Sequence, residues 1–206
     1  MKVIVPGRTL RSLLRSAQNI LWAGSAVSLV YVGWVLADAW LYQREQGQLL
    51  NALIEPAAEA PRARSISKPA ALPGPSSIGL IGRLDIPRLG VSVMVAEGVS
   101  RLTLRRAVGH IPGTPLPGEL GNSAFSGHRD TFFRPLKDIR ARDLITVTTP
   151  LGEYRYRVVS TQVVAPSETA VLDNGEGEVL TLVTCYPFYF VGAAPERFVV
   201  RAERVS

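Results

Sequence analysis

The chain has 206 residues, 47% of them hydrophobic, which is enough for one packed domain plus an anchor and too apolar for a disordered chain. Its net charge of +6 is scattered rather than gathered into a basic stripe interleaved with aromatics, so nucleic acid is not the expected partner. A single cysteine excludes an intrachain disulfide and any cysteine-based zinc cluster.

Taken in chain order, residues 1–15 carry Lys2, Arg8, Arg11 and Arg15 and no acid. From Ser16 to Ala37 there is no charged residue. That run is long enough to cross a hydrocarbon core of about 30 Å as a helix. Trp22, Trp40 and Tyr42 suit its two interfacial belts. A cleaved signal peptide is the competing reading, but its apolar region is usually only about 7–15 residues. Ala37-Asp38-Ala39 before aromatics is also a weak cleavage site. The expected anchor is therefore uncleaved, over 16–42, with a cytoplasmic basic N-terminus at 1–15. The positive-inside rule puts everything after Tyr42 on the extracytoplasmic side, at the cell surface or in the periplasm.

Residues 43–77 read as a juxtamembrane helix followed by a tether rich in Pro, Ala and Ser. The tether contributes no core, so a chain begun near Ser76 is expected to keep its thermal midpoint within a few degrees. From 78 to 206 short apolar runs alternate with Gly/Pro turns: Leu80–Ile86, Val91–Val95, Ser123–Ser126, Leu144–Thr148, Tyr154–Val164, Val179–Cys185 and Phe198–Arg201. The period-two texture predicts a mainly β domain, a closed barrel or a sandwich. Two short helices are expected, at Ser100–Val108 with Ser100 as N-cap and at Thr131–Ile139, the latter broken by Pro135.

Two phrases carry chemistry. Ser123-Ala-Phe-Ser-Gly-His128-Arg-Asp ends an apolar run on a histidine. Leu180-Thr-Leu-Val-Thr184-Cys185-Tyr-Pro ends another on the lone cysteine, before a proline that stops the strand. A thiol needs a proton acceptor or a cation nearby to act as a thiolate nucleophile, and a tetrahedral intermediate needs donors for its oxygen. His128 and Arg197 offer these. Each residue alone has a plainer reading: a buried small hydrophobe for Cys185, a structural ring for His128, a solvated strand residue for Arg197.

The phrase Thr181-Leu-Val-Thr184-Cys185 matches the TLxTC signature of sortases, and Gly127-His128-Arg129 and Arg197-Phe-Val-Val match that family's histidine and arginine motifs in the same order. The chain resembles that family over roughly residues 78–204. Gly109-His-Ile-Pro-Gly-Thr114, His128-Arg-Asp-Thr-Phe-Phe133 and Thr184-Cys-Tyr-Pro187 are most similar to class D. The resemblance implies a closed eight-stranded β-barrel with one or two short helices behind a single transmembrane helix. It also implies a cysteine transpeptidase that cleaves an LPxTG-like sorting signal through a thioacyl-enzyme. The acyl group then passes to an amine on a peptidoglycan precursor or another protein. By that likeness Cys185 attacks, His128 is general acid and base, and Arg197 holds the oxyanion, with Thr184 and Arg129 as supporting candidates. No cofactor is implied. Calcium serves some relatives, but no acidic cluster here suggests such a site.

Period two checks the arginine. If Leu180, Leu182, Phe198 and Val200 face inward, Cys185 and Arg197 face the groove together. Arg201 shares their face and is the rival. His110 lies in the turn-like phrase Gly109-His-Ile-Pro-Gly and is expected to be structural. Arg129 and Asp130 are expected to order His128 or its loop, or to form a solvated pair. Another cell-wall cysteine peptidase, papain-like, is a second enzyme reading, although those enzymes place Cys ahead of His at a helix start; an L,D-transpeptidase would need both in one motif, which is absent. A tethered β-domain that binds a surface peptide without catalysis is the alternative from another class.

Overall fold

The computed structural model describes residues 7–59, 79–175, 177–190 and 192–205. Most of the expected tether, residues 60–77, lies outside the described residues. The chain forms two compact units, Met1–Leu41 and Tyr42–Ser206.

Helix α1 runs from Gly7 to Glu59. It is long and apolar enough to cross a membrane, with a window of mean hydropathy 1.8 inside Ser12–Ile54. In the first unit its large apolar side chains, including Ile20, Leu21, Trp22, Leu29 and Val30, are exposed. A helix with its large apolar side chains exposed along its length suits lipid surroundings better than water.

The second unit is a closed barrel of eight strands. These are β1 (Leu80–Ile86), β2 (Val91–Glu97), β3 (Val108–His110), β4 (Gly121–Ser126), β5 (Leu144–Thr149), β6 (Gly152–Val164), β7 (Glu178–Tyr186) and β8 (Glu196–Arg204). Their order around the barrel is β1-β2-β3-β4-β7-β8-β6-β5, closed by β5 on β1. β2 with β3 and β4 with β7 pair in parallel; the other pairs are antiparallel. Alternation fills the interior with Leu84, Val93, Phe125, Leu180, Leu182 and Val200, all buried.

All seven apolar runs read from the sequence are strands. The eighth, β3, was expected to be a turn. It is only three residues long and contains a glycine, so period two had nothing to register. Helix α2 spans Arg101–Arg106, and Ser100 Oγ accepts the Thr103 N–H at 3.1 Å as its N-cap. The helix expected at Thr131–Ile139 is a shorter 3-10 turn, Arg134–Asp138, with Pro135 in its first turn, where the missing N–H costs least. A further 3-10 turn at Thr169–Leu172 was not anticipated. Arg88 forks onto both carboxylate oxygens of Asp143 at 2.5 and 2.6 Å, which holds that carboxyl below its ordinary range and pins the β1–β2 turn to the start of β5.

The last turns of α1 belong to this unit. Tyr42, Gln46 and Leu50 recur every four residues and are buried. Tyr42 packs with Ala96 and Ala107. Beside them Gln43 Nε2 donates to Arg106 O at 2.6 Å, and Gln43 Oε1 accepts from Met94 N–H at 2.8 Å. Parallel pairing of β2 with β3 begins only at Val95↔Val108. The Gln43 amide therefore satisfies the donor just before that ladder starts. A chain begun near Ser76 loses this helical seat as well as the tether. A protein starting at Ser76 should melt about 7–20 °C below one starting at residue 40, given roughly 1 kcal/mol for each of the two hydrogen bonds, 1.5–3 for the buried leucine and about 2–4 °C per kcal/mol. Calorimetry on the two proteins checks this; equal midpoints would show that the helix adds nothing to the barrel.

Candidate active site

Two parallel strands place the histidine and the cysteine side by side. Along β4 and β7 the register ends at Ser126↔Val183. His128 and Cys185 each follow that pair by two residues. They leave neighbouring strands at the same end of the barrel. Gly127 fastens the histidine's strand at this point: its N–H donates to Val183 O at 3.1 Å, and its carbonyl accepts from Thr184 Oγ1 at 2.7 Å. A Cβ on Gly127 would lie 2.7 Å from the buried Phe133 ring, so only glycine fits. Phe133 N–H in turn donates to His128 O at 3.1 Å. The ring of His128 itself is exposed.

The arginine comes from the next strand round. Cys185 is the direct Cα partner of Arg197 across the antiparallel β7–β8 pair. Side chains of directly opposed residues share a face, so both point outward together. Arg201 faces Thr181 instead, four residues along. Arg197 Nη1 donates to Ala194 O at 3.3 Å and Glu196 O at 2.9 Å, which holds the guanidinium at the strand's start. His128, Arg129 and Asp130 on one side and Cys185 and Arg197 on the other line a cleft of about 360 Å³, closed by residues 192–194. Cys185 is half-buried there, the partial access a reacting thiol requires.

The supporting candidates do different work from an oxyanion donor. Thr184 points inward, is buried, and gives its hydroxyl proton to Gly127 O. It holds the histidine loop to the cysteine strand. Arg129 is 6% exposed, and its guanidinium donates to three carbonyls of the β7–β8 loop: Pro187 at 2.9 Å, Phe190 at 2.5 Å and Gly192 at 3.2 Å. It also lies over the Phe190 ring, 5.9 Å from the centroid. Arg129 thereby ties the histidine loop to the β7–β8 loop, while its Nε lies 3.4 Å from Asp130 Oδ2. Tyr186, Phe188 and Phe198 cluster at the base of the same loop, with centroids 5.3–6.3 Å apart: Tyr186 stacks on Phe198, and Phe188 meets both edge to face. His110 is buried away from the cleft lining. Its Nδ1 lies 2.8 Å from Glu97 Oε2, and its Nε2 3.0 Å from Thr114 Oγ1. No group of three or more metal-ligating side chains occurs among the described residues.

Sequence reasoning missed the loop clamp and the cleft wall at 192–194. The clamp's acceptors are backbone carbonyls, which have no residue signature. The signal that was present is the arginine directly after the histidine.

Comparison with known proteins places this geometry. A family model for the sortase domain matches residues 84–205. The chain is 36% identical over 126 residues to sortase D of Bacillus subtilis (strain 168), a match covering 61% of this chain and 64% of that protein. It is 35% identical over 123 residues to sortase SrtE1 of Streptomyces coelicolor, covering 50% of this chain and 35% of that one. Among solved structures, a Clostridium perfringens sortase D5 transpeptidase superposes with a TM-score of 0.57 at 30% identity, over 62% of this chain and 79% of its own. Sortase C-1 from Actinomyces oris gives 0.56 at 33% identity, over 61% and 73%.

Proposed function

Because the chain belongs to the sortase family and resembles class D members of it, we propose that it is a membrane-anchored cysteine transpeptidase. The observation that carries this reading is the convergence of Cys185, His128 and Arg197 on one cleft from three adjoining strand ends. The substrate is a protein bearing an LPxTG-like sorting signal, and the acceptor is an amine on a peptidoglycan precursor or another protein.

In the first half-reaction Cys185 Sγ attacks the scissile carbonyl. The oxygen becomes an oxyanion, and the Arg197 guanidinium, facing the same side as the sulfur, donates to it. The C–N bond breaks as His128 protonates the departing amine. The acyl group now sits on sulfur. In the second half-reaction an incoming amine gives up a proton to His128 and attacks the thioester. The C–S bond breaks and the cysteine is restored.

Helix α1 and the cations ahead of it support a single-pass anchor. Residues 1–15 lie in the cytoplasm and the barrel lies outside. Protease added to spheroplasts is expected to digest the domain after residue 43; full protection would reverse the topology, and a mature N-terminus near residue 40 would indicate a signal peptide.

The site assignments predict graded losses in a peptide-plus-amine assay, with circular dichroism on every variant to exclude misfolding. Cys185→Ala should abolish turnover. His128→Ala should lower it about 10²–10⁴-fold, and Arg197→Ala about 10²–10³-fold. Arg197→Lys should recover little, since an ammonium lacks the planar fork. Arg201→Ala should stay within a few-fold of wild type. Near-normal turnover by Arg197→Ala beside a collapsed Arg201→Ala would exchange the two arginines' roles.

A further inference from the structure

The cleft is rich in positive charge, with Arg129 and Arg197 in its lining, yet the second half-reaction proposed above needs an amine. An alkylamine arrives at neutral pH as an ammonium, since an amine of the lysine type titrates near 10.4. It must be held against that field before it can lose a proton. Among the described residues that line the cleft, Asp130 is the one carboxylate.

Its setting suits that task. Residues 128 and 130 are exposed while Arg129 between them is buried, and His128 and Asp130 both line the cleft. The Asp130 side chain is 66% exposed. Among the described residues its polar partner is Arg129 Nε, at 3.4 Å. That is well beyond the roughly 2.7–2.9 Å of a charge-assisted hydrogen bond. Arg129 spends its Nη atoms on the loop carbonyls instead. The carboxylate therefore keeps acceptor capacity facing the cleft, two residues from the proposed base.

We propose that Asp130 is the docking carboxylate for the acceptor amine, which selects cationic primary amines and delivers them to His128. The inference rests on the transpeptidase reading. The ammonium binds to Asp130 and yields one proton to the basic His128 imidazole. The neutral nitrogen attacks the thioester, the C–N bond forms, and the C–S bond breaks. The second proton on nitrogen passes to the departing Cys185 sulfur. His128 returns its proton to solvent. One ammonium and one thioester thus give one amide, one thiol and one released proton.

The test compares transfer with hydrolysis of the same sorting peptide, using ethylamine, a cation at neutral pH, and hydroxylamine, which is mainly uncharged there. Asp130→Asn is expected to cut the transfer-to-hydrolysis ratio for ethylamine about tenfold, through a higher KM for the amine. The ratio for hydroxylamine should change less than twofold. Asp130→Glu should restore part of the ethylamine ratio, and added salt should shrink the wild-type preference for the cation. Equal losses with both nucleophiles would show that Asp130 acts only by ordering Arg129 and its loop, and would overturn the proposal, as would an unchanged ethylamine ratio. A wild-type enzyme that hydrolyses the peptide but uses no amine would overturn the docking role and leave that of Cys185 standing; one that never acylates Cys185 would overturn both.

Discussion

The site depends first on a pair of hydrogen bonds at one glycine. Gly127 gives its N–H to Val183 O and takes the Thr184 hydroxyl on its carbonyl. Both bonds join the strand that delivers His128 to the strand that delivers Cys185. The Thr184 bond is buried, so leaving the carbonyl unpaired costs about 1–3 kcal/mol. Phe133 fills the space where a Cβ on Gly127 would stand, so the turn cannot back away. The rigid parallel pairing of β4 with β7 then determines how far the two reactive side chains lie apart. This is the precision a proton transfer requires of its scaffold.

Arginines supply the other two constraints. Arg197 is set opposite Cys185 by the antiparallel register of β7 and β8. Arg129 is a buried cation whose charge is met by three loop carbonyls and by the Phe190 ring. Burying a guanidinium without such partners would cost several kcal/mol, so the loop folds around the cation or not at all. That contact sets the cleft wall at 192–194. A chain segment without regular structure thereby gains a defined shape at the rim of the site.

Much of this was legible in the sequence, and the reasons are local. Leu180 and Leu182 alternate with Thr181 and Val183, which gave both the strand and its inward face. The same period predicted that Cys185 and Arg197 would share the outward face, as the register shows. What period two could not say is which arginine faces the thiol, since Arg201 has the same parity. Register decides that, and register comes from partner strands far along the chain. β3 escaped notice because three residues carry no period. The seat of α1 on the barrel escaped because Gln43 and Gln46 look like solvent-facing residues; burial depends on a neighbour some fifty residues away. Thr184, a supporting candidate beside the cysteine, donates its hydroxyl to Gly127 O. Its inward side chain follows from the same alternation that places Cys185 outward.

The central claim is that Cys185 carries the acyl group between donor and acceptor. Its most direct test is intact-mass and peptide-mapping spectrometry of the folded barrel after rapid acid quench, with an LPxTG-like peptide as donor and no amine present. The account predicts an adduct equal in mass to the peptide cleaved after threonine, located on Cys185, and discharged when an amine is added. A folded enzyme that cleaves the peptide while Cys185 stays unmodified throughout, or that carries the adduct on another residue, would contradict it.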